Sequence, residues 1–137
     1  YNMYTQQQSQ VVTSMGNWLG ETDWDFFSTI TYRHNVKEKQ NYNIMQKLKS
    51  TLNTQHNDFK VFYVTEFTNY NYNTHNHLLV KGDGIIETIN SFYKGKGLIG
   101  DHVKHIPYEK DKGAHFYVSK YISSSNIDYD FIIPENK

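Results

Sequence analysis

The sequence predicts an α+β sandwich, an antiparallel sheet flanked by helices. Runs of aromatic and β-branched residues alternate with stretches whose apolar residues recur at helical spacing. The strand-like runs at 62–67 and 74–80 flank a short polar, Asn-rich link that suits a hairpin. At 137 residues there is room for one domain with a single core.

Taken in order, residues 5–19 are Gln-rich and place Val11, Val12, Met15, Trp18 and Leu19 at roughly helical spacing, which predicts a short helix. Residues 25–32 read as a strand, with Phe27, Thr29 and Thr31 on one face and Phe26, Ser28, Ile30 and Tyr32 on the other. From 41 to 54, Ile44, Met45, Leu48 and Leu52 recur at intervals of three and four, an amphipathic helix with its lysines outward. The hairpin strands follow, and Gly82-Asp83-Gly84 ends the second. Residues 85–93 suit a short helix and Lys94-Gly95-Lys96-Gly97 a flexible loop. A strand is expected at 103–108, where Pro107 marks an edge or a strand end. Residues 111–125 predict a last helix, with Asp111 as N-cap and the serine run as its fraying end. The layer order is ferredoxin-like or RRM-like. One domain over 1–137 is expected, its core at about 24–125, with an N-terminal extension at 1–23 and an acidic tail at 126–137.

Composition narrows the function classes. The chain has no cysteine, which removes disulfides and thiolate-bound zinc and fits a reducing cytosol. Mean hydropathy is -0.75, and neither a bilayer-spanning apolar run nor a signal peptide is visible, so a soluble protein without membrane partners is expected. The formal net charge is zero but unevenly spread. Residues 1–30 hold only Glu21, Asp23 and Asp25 as charges, whereas Arg33, Lys37, Lys39, Lys47, Lys49 and Lys60 form a basic block, continued by lysines between 94 and 120. Such a block is either a solvated face or a track for a phosphate backbone.

The chemistry-bearing stretch is Thr74-His75-Asn76-His77-Leu78-Leu79-Val80. On a strand His75 and His77 project from one face and Asn76 from the other. A hairpin centred on Tyr70 and Asn71 sets Glu66 opposite His75 and diagonal to His77. Glu66, His75 and His77 leave coordination positions open, as a catalytic divalent site requires, and suit manganese, magnesium or zinc. The plainer reading is a pair of partly buried polar side chains. In the last helix, Ala114, Val118 and Ile122 form a stripe to pack on the sheet, and Tyr117, Lys120 and Tyr121 share the adjoining face. Those tyrosines either snorkel their hydroxyls to water or offer a phenol nucleophile assisted by a cation. His34, His56, His102, His105 and His115 have no ligand-like spacing and read as surface or core residues.

Phe27-Ser28-Thr29-Ile30-Thr31, His75-Asn76-His77-Leu78-Leu79 and Tyr117-Val118-Ser119-Lys120-Tyr121, in that order, resemble the three motifs of the HUH endonucleases, most closely the rolling-circle replication initiators of small phages and plasmids. The resemblance covers about 24–125. It implies that His75, His77 and Glu66 bind Mn2+ or Mg2+, and that Tyr117 attacks a phosphodiester of single-stranded DNA to give a 5′-phosphotyrosine and a free 3′-hydroxyl. Lys120 would stabilise charge, and Tyr121 matches the second tyrosine of the paired-tyrosine initiators. Arg33, Lys81 and Lys112 are the expected DNA contacts. An origin hairpin, a host helicase or polymerase, and the host cytoplasm follow as implied partners and location. Asn76 stands where the family usually has a hydrophobic residue. A single-tyrosine transposase or a relaxase would use the same chemistry. A non-catalytic RRM-like module would instead stack bases on aromatics such as those of the Tyr70-Asn71-Tyr72 loop.

Overall fold

The structure, a computed structural model, describes residue 17 and residues 19–67, 74–109 and 127–135. Its elements are β1 (Phe26–Tyr32), α1 (Glu38–Gln55), β2 (Lys60–Glu66), β3 (His75–Lys81), α2 (Ile85–Gly95), β4 (Ile99–Pro107) and β5 (Ile127–Ile132). The strands form a single sheet in the order β4-β1-β3-β2-β5, and every neighbouring pair is antiparallel. The first four strands and two helices have the β-α-β-β-α-β order of a ferredoxin-like domain. The predicted α+β class is therefore the one observed.

Both helices pack on one face of the sheet. Met45, Leu48 and Leu52 of α1 and Ile85, Ile89, Phe92 and Tyr93 of α2 join Ile30, Tyr32, Val61, Tyr63, Leu78 and Val80 in the main core. The period of two along β1 puts Ser28, Ile30 and Tyr32 on this face and Phe27, Thr29 and Thr31 on the other, as the sequence predicts. The helix α1 begins three residues earlier than its apolar spacing indicates, because Gln40 Oε1 accepts the Lys37 N–H at 3.0 Å and secures the first turn. Gly82, with φ 132°, makes the turn from β3 towards α2. A Cβ there would stand 2.8 Å from Ile85 Cγ1 and 3.0 Å from the Asp58 carbonyl oxygen.

The opposite face carries a smaller core of Leu19, Trp24, Phe62, Val64 and Leu79, with Phe27, Tyr108 and Phe131 against it. Trp24 donates its indole N–H to the Leu19 carbonyl at 2.8 Å, which holds the segment before β1 against the sheet.

At two places the fold departs from the expected elements. The strand β4 starts at Ile99 instead of 103, reaching Tyr32 past a bulge in its pairing with β1. The expected acidic tail contains β5, which pairs along the whole of β2 and buries Ile132. Asp128 and Asp130 disguise an alternation of Ile127, Tyr129 and Phe131. Charged side chains on an edge strand are a usual means of blocking further pairing. Most of the expected 5–19 helix and all of the 111–125 helix lie outside the described residues. No helix among the described residues is long and apolar enough to cross a membrane.

Candidate metal centre

The hairpin register brings the expected ligands together. Glu66 pairs with His75 across β2 and β3, and Val64 with His77. Two long side chains then bridge the diagonal, with Glu66 Oε1 2.5 Å from His77 Nε2. The two imidazoles lie on one face with ring centroids 6.2 Å apart. His77 is almost wholly buried, and the Phe27 ring lies parallel to it at 6.0 Å.

On the other side of β3, β1 supplies a hydroxyl for each imidazole. Thr31 Oγ1 is 2.9 Å from His75 Nδ1, and Thr29 Oγ1 is 3.2 Å from His77 Nδ1. Both rings turn Nδ1 towards β1, which directs the Nε2 lone pair away from it. A histidine that binds a cation through Nε2 carries its proton on Nδ1 and needs an acceptor there, and a threonine oxygen is such an acceptor. Burial lowers the pKa of His75 below 6.5, the neighbouring His77 lowers it further and Glu66 opposes both. His75 is thus neutral at pH 7, the state a metal ligand needs. Thr29 and Thr31 were legible in the sequence only as one face of β1. Their partnership with the histidines needed the β1–β3 register, Thr29 opposite His77 and Thr31 opposite His75.

Among the described residues, no three His, Cys, Asp or Glu side chains form a group already spaced to hold a metal ion. The reason is the close Glu66–His77 contact. Two ligands each about 2.1 Å from one cation stand about 3 Å apart, so the carboxylate has to withdraw slightly from Nε2 to admit an ion. The donor set fits a divalent cation, and the adjustment is a side-chain rotation of a residue whose side chain is 35% exposed.

The rows of the sheet extend this face beyond the histidines. Tyr129, Val64, His77, Thr29 and Lys104 are successive cross-strand partners from β5 to β4. Tyr129 and Lys104 are exposed at the two ends of that row. Sequence reading missed both, Tyr129 because β5 was read as tail and Lys104 because its strand could not be ordered beside β1. Of the expected DNA contacts, Arg33 directly follows β1 at the histidine end. Lys81 closes β3 about 20 Å from His75 along the strand, and Lys112 lies outside the described residues. Tyr117, Lys120 and Tyr121 also lie outside them. His105, on the helix-covered face, bonds through Nδ1 to Ser28 Oγ at 2.6 Å and through Nε2 to Asn90 Oδ1 at 2.8 Å, and His56 bonds to Thr88 Oγ1 at 2.7 Å. Both are structural histidines, as their spacing suggested.

The family model of replication-associated proteins of the ORF2 type matches residues 25–126. The chain belongs to this family. The match runs from the start of β1 through the histidine strand to the edge of β5, so it includes all three sequence motifs and marks the chain as a Rep-like replication protein. A search of curated proteins found no match, and neither did a search of solved structures.

Proposed function

We propose that the chain is a metal-dependent nickase and ligase of single-stranded DNA that starts rolling-circle replication. The observation that carries this reading is the convergence of Glu66, His75 and His77 on one sheet face, each imidazole backed by a threonine, inside the span of a replication-associated family. Glu66 and the two Nε2 atoms would hold a divalent cation, Mn2+ or Mg2+. When bound, such an ion supplies Lewis-acid charge neutralisation at the scissile phosphate. In the proposed reaction the Tyr117 phenol oxygen attacks phosphorus and loses its proton, and the bond from phosphorus to the 3′ oxygen breaks. That oxygen takes up a proton to leave a 3′-hydroxyl, and the 5′ phosphate stays on the tyrosine. Lys120 offsets the charge that builds on the phosphate, and Tyr121 serves the second cleavage of a cleavage-and-rejoining cycle. The covalent ester conserves the phosphodiester energy, so reversal by a 3′-hydroxyl seals the strand. The substrate is a single strand, most suitably an origin hairpin, with a host helicase or polymerase extending the freed end.

A non-catalytic base-stacking module is the competing reading. Phe62, the most central aromatic of the open face, is 3% exposed beneath Leu19 and Trp24, so it offers no platform for a base. The family match likewise favours replication over transposition or conjugal relaxation. The test is a panel of labelled single-stranded and hairpin oligonucleotides with Mn2+ or with EDTA. Cleavage that leaves a 3′-hydroxyl and stops with EDTA and in His75→Ala is expected. Strand binding that is metal-independent and without cleavage would overturn the proposal.

A further inference from the structure

Asn76, fully buried between the two histidines in sequence, belongs to a closed circuit of hydrogen bonds on the helix-covered face. The Tyr32 hydroxyl donates to Asn41 Oδ1 at 2.8 Å, and Asn41 Nδ2 donates to Thr65 Oγ1 at 2.9 Å. Thr65 in turn donates to Asn76 Oδ1 at 2.5 Å, and Asn76 Nδ2 donates back to the Tyr32 oxygen at 2.8 Å. Each member donates once and accepts once around the ring, an arrangement in which the bonds polarise and strengthen one another. The second N–H of Asn76 reaches the Tyr93 hydroxyl at 3.0 Å, which ties α2 to the same ring that Asn41 ties to α1. Burial pushes the Tyr32 phenol up to about 12 and that of Tyr93 well above its usual 10.0, so both keep their protons at neutral pH.

The ring is the reverse side of the candidate site. Tyr32 follows Thr31, Thr65 precedes Glu66, and Asn76 has His75 before it and His77 after it. Neighbours on a strand face opposite ways, so each strand that supplies the site anchors it by the adjacent residue on the other face. We propose that this ring is a positioning device: it closes in only one register of β1, β3 and β2, and so sets the spacing of His75, His77 and Glu66. A one-residue slip of β3 would turn Asn76 to the open face and both histidines into the core. A hydrophobic residue at 76 could fill the same space but would carry no such directional pairing. The inference rests on the metal-binding reading of the site.

The test compares the full chain with Thr65→Val and Asn76→Leu, which break the ring, Tyr32→Phe, which removes one hydroxyl at nearly constant shape, and Thr65→Ser, which keeps the circuit. Imidazole 15N spectra without metal and Mn2+ affinity are both recorded. Expected are broadened or tautomer-averaged signals from His75 and His77 in the first three variants, with His105 unaffected, and about a tenfold loss of Mn2+ affinity, the low end for partners behind metal ligands. Thr65→Ser is expected to retain both. Folded ring variants with a lowered melting temperature but wild-type imidazole signals and affinity would overturn the proposal. Should Thr65→Val or Asn76→Leu not fold, Tyr32→Phe against Thr65→Ser decides it. A wild type that binds no Mn2+ refutes the metal reading alone, because the metal-free spectra still decide whether the ring orders the imidazoles.

Discussion

Replacing Thr31 by valine removes one oxygen from the candidate centre and almost nothing else. Thr31 Oγ1 stands 2.9 Å from His75 Nδ1, directly across the β1–β3 pair. Valine keeps the β-branched shape that a strand favours, so lost stability should stay near the ~1 kcal/mol of one neutral hydrogen bond. The effect on metal is larger. Without an acceptor at Nδ1, neutral His75 no longer has a fixed tautomer or ring orientation, and partners of this kind are worth about 10–100-fold in affinity, or roughly 1.4–2.7 kcal/mol. Thr29→Val should cost less, because its contact to His77 Nδ1 is longer, at 3.2 Å, and Glu66 also restrains His77. Titration calorimetry or Mn2+ electron paramagnetic resonance, with a thermal melt for each variant, measures both. A Thr31→Val chain that binds Mn2+ within twofold of wild type, or a larger loss from Thr29→Val, would refute the reasoning.

Acid should weaken the fold through its half-buried histidines. Burial lowers His75 and His105 below 6.5, with Glu66 and Glu87 respectively opposing the shift, so between the folded value and 6.5 the unfolded chain binds more protons. Their contribution to stability is complete above about pH 6.5 and falls as pH drops below it. Urea unfolding at pH 7.5 and 5.5 should show the loss, with a shallower slope for His105→Gln; an equal slope contradicts the assignment. Gly82→Ala, forced to φ 132° against Ile85 and Asp58, should destabilise by about 1–3 kcal/mol, read by the urea midpoint, without altering Mn2+ affinity. On the open face, Lys104→Ala should lower single-strand affinity evenly across sequences and reduce the salt slope by about 0.7. Tyr129→Ala should cost about 1–3 kcal/mol of binding where Tyr129→Phe costs little, in a fluorescence-anisotropy titration.

The centre of the fold was legible because its signals are local. Alternation along β1, the Glu66–His75 register expected across a short polar link, and the amphipathic spacing of α1 each follow from a few adjacent residues. What the sequence hid depends on partners distant in the chain. The threonine hydroxyls behind the histidines become visible only when β1 is known to lie beside β3, and the ring through Asn76 joins residues 32, 41, 65 and 76. As a lone letter, Asn76 looks like a misfit in a hydrophobic strand. In its buried setting its amide is satisfied at both ends. The strand β5 escaped notice because Asp128 and Asp130 lower its strand propensity, although Ile127, Tyr129 and Phe131 keep the period of two. Its loss from the reading also hid Tyr129, which β5 places in the His77 row.

The most direct test of the account is to locate the DNA on the protein. The full chain is incubated with a cleaved oligonucleotide and Mn2+, digested, and the adduct-bearing peptide sequenced by mass spectrometry. The account predicts a 5′-phosphotyrosyl nucleotide on Tyr117, lost in Tyr117→Phe and in Glu66→Ala, with any remainder on Tyr121. Cleavage without an adduct on either tyrosine, or an adduct that forms equally well in EDTA, would contradict it.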